Sequence, residues 1–252
     1  MNAATPQSGS GSAPVASDDP GARRWLVLGL GLAALLAAVP VVVALMTPIV
    51  FVEHEIQKTA VYRIFFLHVP AAIAGTTTLM LGILVGSVGV LWRKSDLFSR
   101  WLVACLELGL VALTFALISG MVWANSAWGT PWNWEPRLTM VAVVWLLLVG
   151  ALALRGATDE PLKRERYTAV FALLIVANAP LIKWATEWFG STLHPERDTH
   201  RAGDGYAAVQ TELLVCMITI NVLFVLLAVV RTRSAKRPPS AATAAPAQGG
   251  GA

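Results

Sequence analysis

The sequence predicts an all-α, polytopic integral membrane protein with six transmembrane helices and both termini in the cytoplasm. Three observations carry that reading. Of the 252 residues, 56% are hydrophobic and only 13% charged, with a mean hydropathy of +0.63, whereas a soluble domain of this size carries roughly a quarter charged residues. The few charges fall in clusters between apolar runs of roughly 20 residues, the length that crosses a hydrocarbon core about 30 Å thick. The basic residues, finally, sort by side, as the next paragraphs show.

Taken in chain order, residues 1–22 and 232–252 are rich in Ala, Ser, Gly and Pro. They have too little apolar surface to offset the entropy of ordering, and are expected to be disordered tails around a transmembrane domain of residues 23–231. The spans are expected at about 25–48, 64–91, 101–123, 138–154, 168–186 and 209–230. The first follows Arg23-Arg24 as a signal peptide would, but it exceeds the roughly 7–15 residues of a signal core, so it is read as a retained helix. Pro40, Pro70 and Pro180 lie inside or near the ends of runs and should kink helices rather than abolish them. Gly82 and Gly86 share a face and permit close helix packing, with neighbouring helices of the same chain as the default partner.

Thirteen Lys and Arg residues fall at the termini and in the 92–100 and 155–167 loops; on the other side lie five in the segments 53–63, 124–137 and 187–208, together with Lys183. The excess marks the cytoplasmic side. The pI of about 9.4 therefore reports orientation in a bilayer and not a nucleic-acid partner. Cys105 and Cys216 lie in separate apolar runs without C-x-x-C spacing, which argues against a disulfide framework, a zinc site or a thiol redox motif. They read as buried spacers.

All four histidines, His54, His68, His194 and His200, fall on the outer side, as do six of the ten tryptophans. Aromatic belts populate both interfaces; Trp25, Trp92 and Trp101 would form the inner one, and Trp184 and Trp188 the outer. The loop at about 123–139 is different. It runs from Trp123 through Trp128-Gly129-Thr-Pro131-Trp132-Asn-Trp134-Glu135-Pro136-Arg137 to Thr139. Three indoles, a glycine and two prolines make a stiff apolar platform, suited to a large flat ligand. Arg137 at its edge can pair bidentately with a carboxylate, although Glu135 or a lipid phosphate would serve equally. A planar, carboxylate-bearing ligand flanked by histidines describes a porphyrin. Neutral imidazole ligates iron; His68 and His194 form one pair, but His54 and His200 compete, and spacing does not choose among them.

From about residue 60 to 230 the sequence resembles the CcmC family of haem-handling membrane proteins of cytochrome c maturation, named for a Trp-rich WWD domain. The resemblance rests on Arg63-Ile-Phe-Phe-Leu-His68-Val-Pro-Ala-Ala72, on Trp128-Gly-Thr-Pro-Trp132-Asn-Trp134-Glu-Pro-Arg137-Leu-Thr139 and on Thr192-Leu-His194. It implies haem b held at the outer face of a bacterial inner membrane, with His68 and His194 as axial ligands. The platform would comprise Trp123, Trp128, Gly129, Trp132, Trp134 and Glu135, with Arg137 and Arg63 on the propionates. It further implies delivery to a CcmE-type haem chaperone beside ABC-type CcmA/CcmB and small CcmD-type subunits. Three positions depart from the family pattern: Pro131 where Trp is common, Glu135 where Asp is typical, and Pro136 where Ala is typical. These lean toward the related CcsA branch, a cytochrome c synthase reading, while the six-span count favours CcmC.

The sequence contains neither a phosphate-binding G-x-x-x-x-G-K-[ST] loop nor a C-x-x-C-H haem attachment motif, so ATP would act through a partner and the chain is not itself a c-type cytochrome. Nothing resembles a nucleophile–base pair, and the chain is read as a haem carrier and not an enzyme. A small-solute transporter, with Glu107, Asn178 and Glu212 lining a path, is the remaining alternative. Glu107 in particular is expected to be a protonated, hydrogen-bonded carboxyl.

Overall fold

In the computed structural model, residues 20–46, 63–93, 95–189 and 206–235 are described, and all the regular elements among them are helical. They are α1 (Pro20–Met46), α2 (Phe65–Ile73), a π turn (Ala74–Thr78), α3 (Leu79–Arg93), α4 (Asp96–Trp128), α5 (Pro136–Ala157), α6 (Pro161–Ala177), α7 (Ala179–Phe189) and α8 (Tyr206–Ser234). Six helical stretches are long and apolar enough to cross a membrane: Arg24–Met46, Phe65–Arg93, Asp96–Trp128, Pro136–Ala157, Pro161–Ile182 and Gln210–Ser234. The six-span expectation stands, with several boundaries displaced: the fifth stretch starts at Pro161 where 168 was expected and ends at Ile182, and the third starts at Asp96 where 101 was expected. The third span is the 33-residue α4, which continues past residue 123 to Trp128. Most of the two expected tails lies outside the described residues.

Helices that face lipid are apolar all round, so an apolar stripe does not mark the inward side. Small residues do, because they let backbones approach. The contact between α2–α3 and the antiparallel α4 shows this. A Cβ at Gly75 would come within 2.5 Å of Leu113, one at Gly82 within 2.6 Å of Cys105, one at Gly86 within 2.9 Å of the Leu102 backbone, and one at Gly89 within 2.2 Å of Phe98. Each step along α2–α3 is matched to within one residue by a step back along α4, a continuous seam of glycine against side chains of the facing helix. Trp101 closes it by donating from Nε1 to the Gly82 carbonyl at 3.0 Å. This indole was expected in an inner aromatic belt and instead joins two helices. Trp25 and Trp92 remain exposed (69% and 83%).

Around this pair, α6 packs on α3, α5 bridges α4 and α6, and α8 packs against α1, α2 and α4. Trp145 of α5 donates from Nε1 to Thr114 Oγ1 of α4 at 2.8 Å, and Thr78 of the π turn donates to the Asn221 side chain of α8. The core so enclosed includes Leu79, Ile83, Leu102, Leu106, Leu113, Leu148 and Ile175, all buried, as are Cys105 and Cys216.

The prolines act in different ways, and Pro40 lies within α1 without interrupting it. Pro70 cannot donate to the Phe66 carbonyl, and the helix widens into the π turn four residues later. Pro180 cannot donate to Val176, and the fifth span divides at Asn178, whose amide donates to the Leu174 carbonyl at 3.2 Å. Pro136 and Pro161 occupy first turns, where no N–H partner is needed.

Glu107 is hydrogen-bonded, as expected, and its partner is a guanidinium. It accepts two hydrogen bonds from Arg231 of α8, Nε to Oε2 at 2.8 Å and Nη2 to Oε1 at 3.0 Å. That fork is the geometry of an ionised carboxylate with a guanidinium. The sequence separates the partners by 124 positions, and only the antiparallel packing of α4 and α8 unites them.

Candidate functional site

Four tryptophans gather where α4 hands over to α5. Helix α4 ends at Trp128, and Gly129 takes φ +73°, ψ 6°, donating from its N–H to the Asn125 carbonyl at 3.1 Å. This left-handed cap is the conformation that glycine adopts without penalty. Nothing lies within 4 Å of where a Cβ at Gly129 would stand. Here, then, the glycine serves backbone conformation, not a close approach. Thr130 donates from Oγ1 to the Trp132 carbonyl at 2.9 Å, tightening the turn, and Glu135 in extended conformation precedes Pro136, the first residue of α5.

The indoles form two edge-to-face pairs instead of one flat platform. Trp123 and Trp128, both on α4, have ring centroids 5.1 Å apart at 79°. Trp132 and Trp134, in the loop, are 5.6 Å apart at 83°. Trp134 is 78% exposed, whereas Glu135 beside it is only 5% exposed. Trp132 is half-buried, and its Nε1 makes no hydrogen bond to any described residue; the same holds for Nε of Arg63, just before α2. Arg137 is the second residue of α5, close to the positive end of that helix dipole.

His68, in the second turn of α2, leans on α4 below this loop. Its Nδ1 lies 3.1 Å from Ser119 Oγ, and its Cε1 occupies the space that a Cβ at Gly120 would fill, 2.9 Å away. Here the seam inverts. Elsewhere α2–α3 supplies the glycine and α4 the bulk; at this end α4 supplies the glycine and α2 the imidazole. Trp123 stands four residues beyond Ser119 on the same helical face, about 6 Å further along the axis. The histidine and the first indole pair are therefore stacked along one face of α4.

The same segments carry the likeness to known proteins. A profile of the heme exporter protein C (CcmC) family matches residues 22–243. The chain belongs to the CcmC family. Heme exporter protein C of Paracoccus denitrificans is 32% identical over 212 residues, covering 83% of this chain and 84% of the relative. That of Bradyrhizobium diazoefficiens is 31% identical over 187 residues, covering 73% and 68%. The Escherichia coli K12 protein of the same name is 33% identical over 144 residues, 57% and 58% of the two chains.

In this CcmC-family chain the structure brings together Trp123, Trp128, Gly129, Trp132, Trp134, Glu135 and Arg137 at the α4–α5 junction, and seats His68 against α4 on the same side. His194, with the competing His54 and His200, lies outside the described residues. Trp184 and Trp188 stack at 5.5 Å and 23° on α7. Sequence reasoning passed over Ser119 and Gly120. The signal available for them was their position three and four residues before Trp123, which puts them on its face of the helix.

Proposed function

We propose that this chain holds haem b at the outer face of the bacterial inner membrane and delivers it to a membrane-anchored haem chaperone of the CcmE type. The observation that carries the reading is His68, seated one helical turn beneath the Trp123–Trp128 pair in a chain of the CcmC family. Haem is the cargo here. The residues fit it on three counts. An iron porphyrin brings four of its own nitrogen donors and asks the protein only for one or two imidazoles, and His68 supplies one. Nε1 of Trp132 and Nε of Arg63, both buried and without a described partner, are donors suited to propionate oxygens. The start of α5, with Arg137 in its first turn, adds a positive end for the second propionate.

In this reading His68 and His194 are the axial ligands, the four loop and helix indoles cover the macrocycle, and Arg137 and Arg63 orient its acidic edge. Haem bound this way supplies the exchangeable iron–imidazole bond that delivery needs; the chain's own residues bind, orient and shield. The excess of basic residues at the opposite end of the helices supports an outward-facing loop end. Trp134, exposed at the tip, is the natural surface for an incoming chaperone. Partner subunits of the CcmA/CcmB and CcmD type would supply ATP-driven release.

Absorption spectra of the purified protein test this. Wild type is expected to carry low-spin, six-coordinate haem. Replacing His68 or His194 with Ala should abolish that spectrum and most of the retained haem; unaltered spectra in both variants would refute the ligand assignment.

A further inference from the structure

We infer that Ser119 and Gly120 of α4 are positioning residues that fix the tautomer and aim of His68. The inference rests on His68 being an iron ligand and adds how the ligand is prepared. Ser119 has one hydroxyl proton, and its Oγ lies 2.7 Å from the Phe115 carbonyl and 3.3 Å from that of Ala116. Carbonyls only accept, so the proton is committed to the helix, as with Thr114 and its Leu110 carbonyl one turn earlier. What Ser119 Oγ presents to the imidazole 3.1 Å away is then a lone pair. His68 Nδ1 must bring the proton.

An imidazole that donates from Nδ1 keeps its lone pair on Nε2, the nitrogen left for a metal. Ser119 of α4 thus meets the imidazole as an acceptor. The Phe115 carbonyl, Ser119 hydroxyl and His68 form a relay ending at Nε2, and such outer partners raise the basicity of a ligating imidazole. Gly120 contributes volume. A methyl there would stand 2.9 Å from Cε1 and 3.5 Å from Nδ1, pushing the ring off Ser119. Neither residue touches the cargo.

The test uses the full-length protein purified with its haem. S119A should release haem about 10- to 100-fold faster, the usual range for losing such a partner, and raise the haem midpoint potential, because a less basic imidazole stabilises ferric iron less. S119T keeps an acceptor whose own proton bonds the preceding turn, and should restore both properties. G120A should lose low-spin character with Ser119 intact. Should S119A fail to accumulate in membranes, S119C offers the same comparison with a near-isosteric, weak acceptor. Wild-type release and potential in S119A or S119C, beside an H68A variant bleached of haem, overturn this inference alone. An S119T variant as impaired as S119A also overturns it, since bulk rather than hydrogen bonding would then matter. Haem retained unchanged in H68A overturns the ligand reading and this inference with it.

Discussion

Trp134 and Trp132 show how two adjacent indoles divide one task. Trp134 is 78% exposed and contributes almost nothing to the fold, so W134A should leave membrane accumulation and thermal stability within about 0.5 kcal/mol of wild type. Transfer of haem to the chaperone, followed by the chaperone's own spectrum, should fall. Trp132 is half-buried with its Nε1 turned inward, and W132F removes that donor along with part of the ring. Haem retention should weaken while the loop stays folded, and retention unchanged in W132F would remove Trp132 Nε1 from the propionate assignment. At this scale much of the site was legible. His68, the loop tryptophans and Arg137 stand in local motifs whose chemistry can be read without a fold. Ser119 and Gly120 were not legible, since a serine and a glycine in an apolar run are ordinary. Their meaning comes from α2 crossing α4 at that level.

Among the elements, α4 does most to build the site. Its last two turns carry Trp123 and Trp128, and Gly129 sets where it stops. G129A should cost about 1–2 kcal/mol for holding a non-glycine residue in the left-handed region, with no steric addition because the space around it is open. G129N should recover part of the loss, asparagine being the next most tolerant residue there. Thermal denaturation of the two variants in detergent checks the order. The sequence placed Trp128 in a loop because tryptophan, glycine and proline cluster there; continuous i→i−4 bonding carries the helix further, through Gly109 and Gly120, to Gly129, which takes the positive φ. The two proline-related breaks were legible as kinks, but not as a π turn in one case and a division of the span in the other. That distinction depends on which neighbouring groups take up the freed carbonyls.

For the molecule as a whole, six spans were legible from composition and run length, and their pairing was not. Lipid-facing helices lack the polar–apolar contrast that reveals inward faces in soluble proteins. The glycines at 75, 82, 86 and 89 held that information, yet only a partner helix shows which glycines are matched to bulk. The Glu107–Arg231 fork is the polar counterpart, clamping α4 to α8 at the end away from the tryptophans. E107Q or R231Q should each lower stability by about 1–2 kcal/mol, less than the ~3–5 of a fully buried pair, because both side chains are more than a third exposed (38% and 45%). The haem spectrum should be unaffected. The exchanged pair E107R/R231E should regain part of the loss, and melting of the three variants in detergent decides it.

The π turn at 74–78 gives this architecture a property of phase. One surplus residue in a helical turn rotates everything before it by about 100° relative to everything after it. His68 lies on one side of that rotation, and Gly82, Gly86 and Gly89 lie on the other. Deleting Thr77 would let the turn close to ordinary helix and swing the imidazole away from Ser119, while the three glycines stay seated on α4. The azimuth of His68 is thus a separate variable from the assembly of the bundle, set by a single residue of surplus chain.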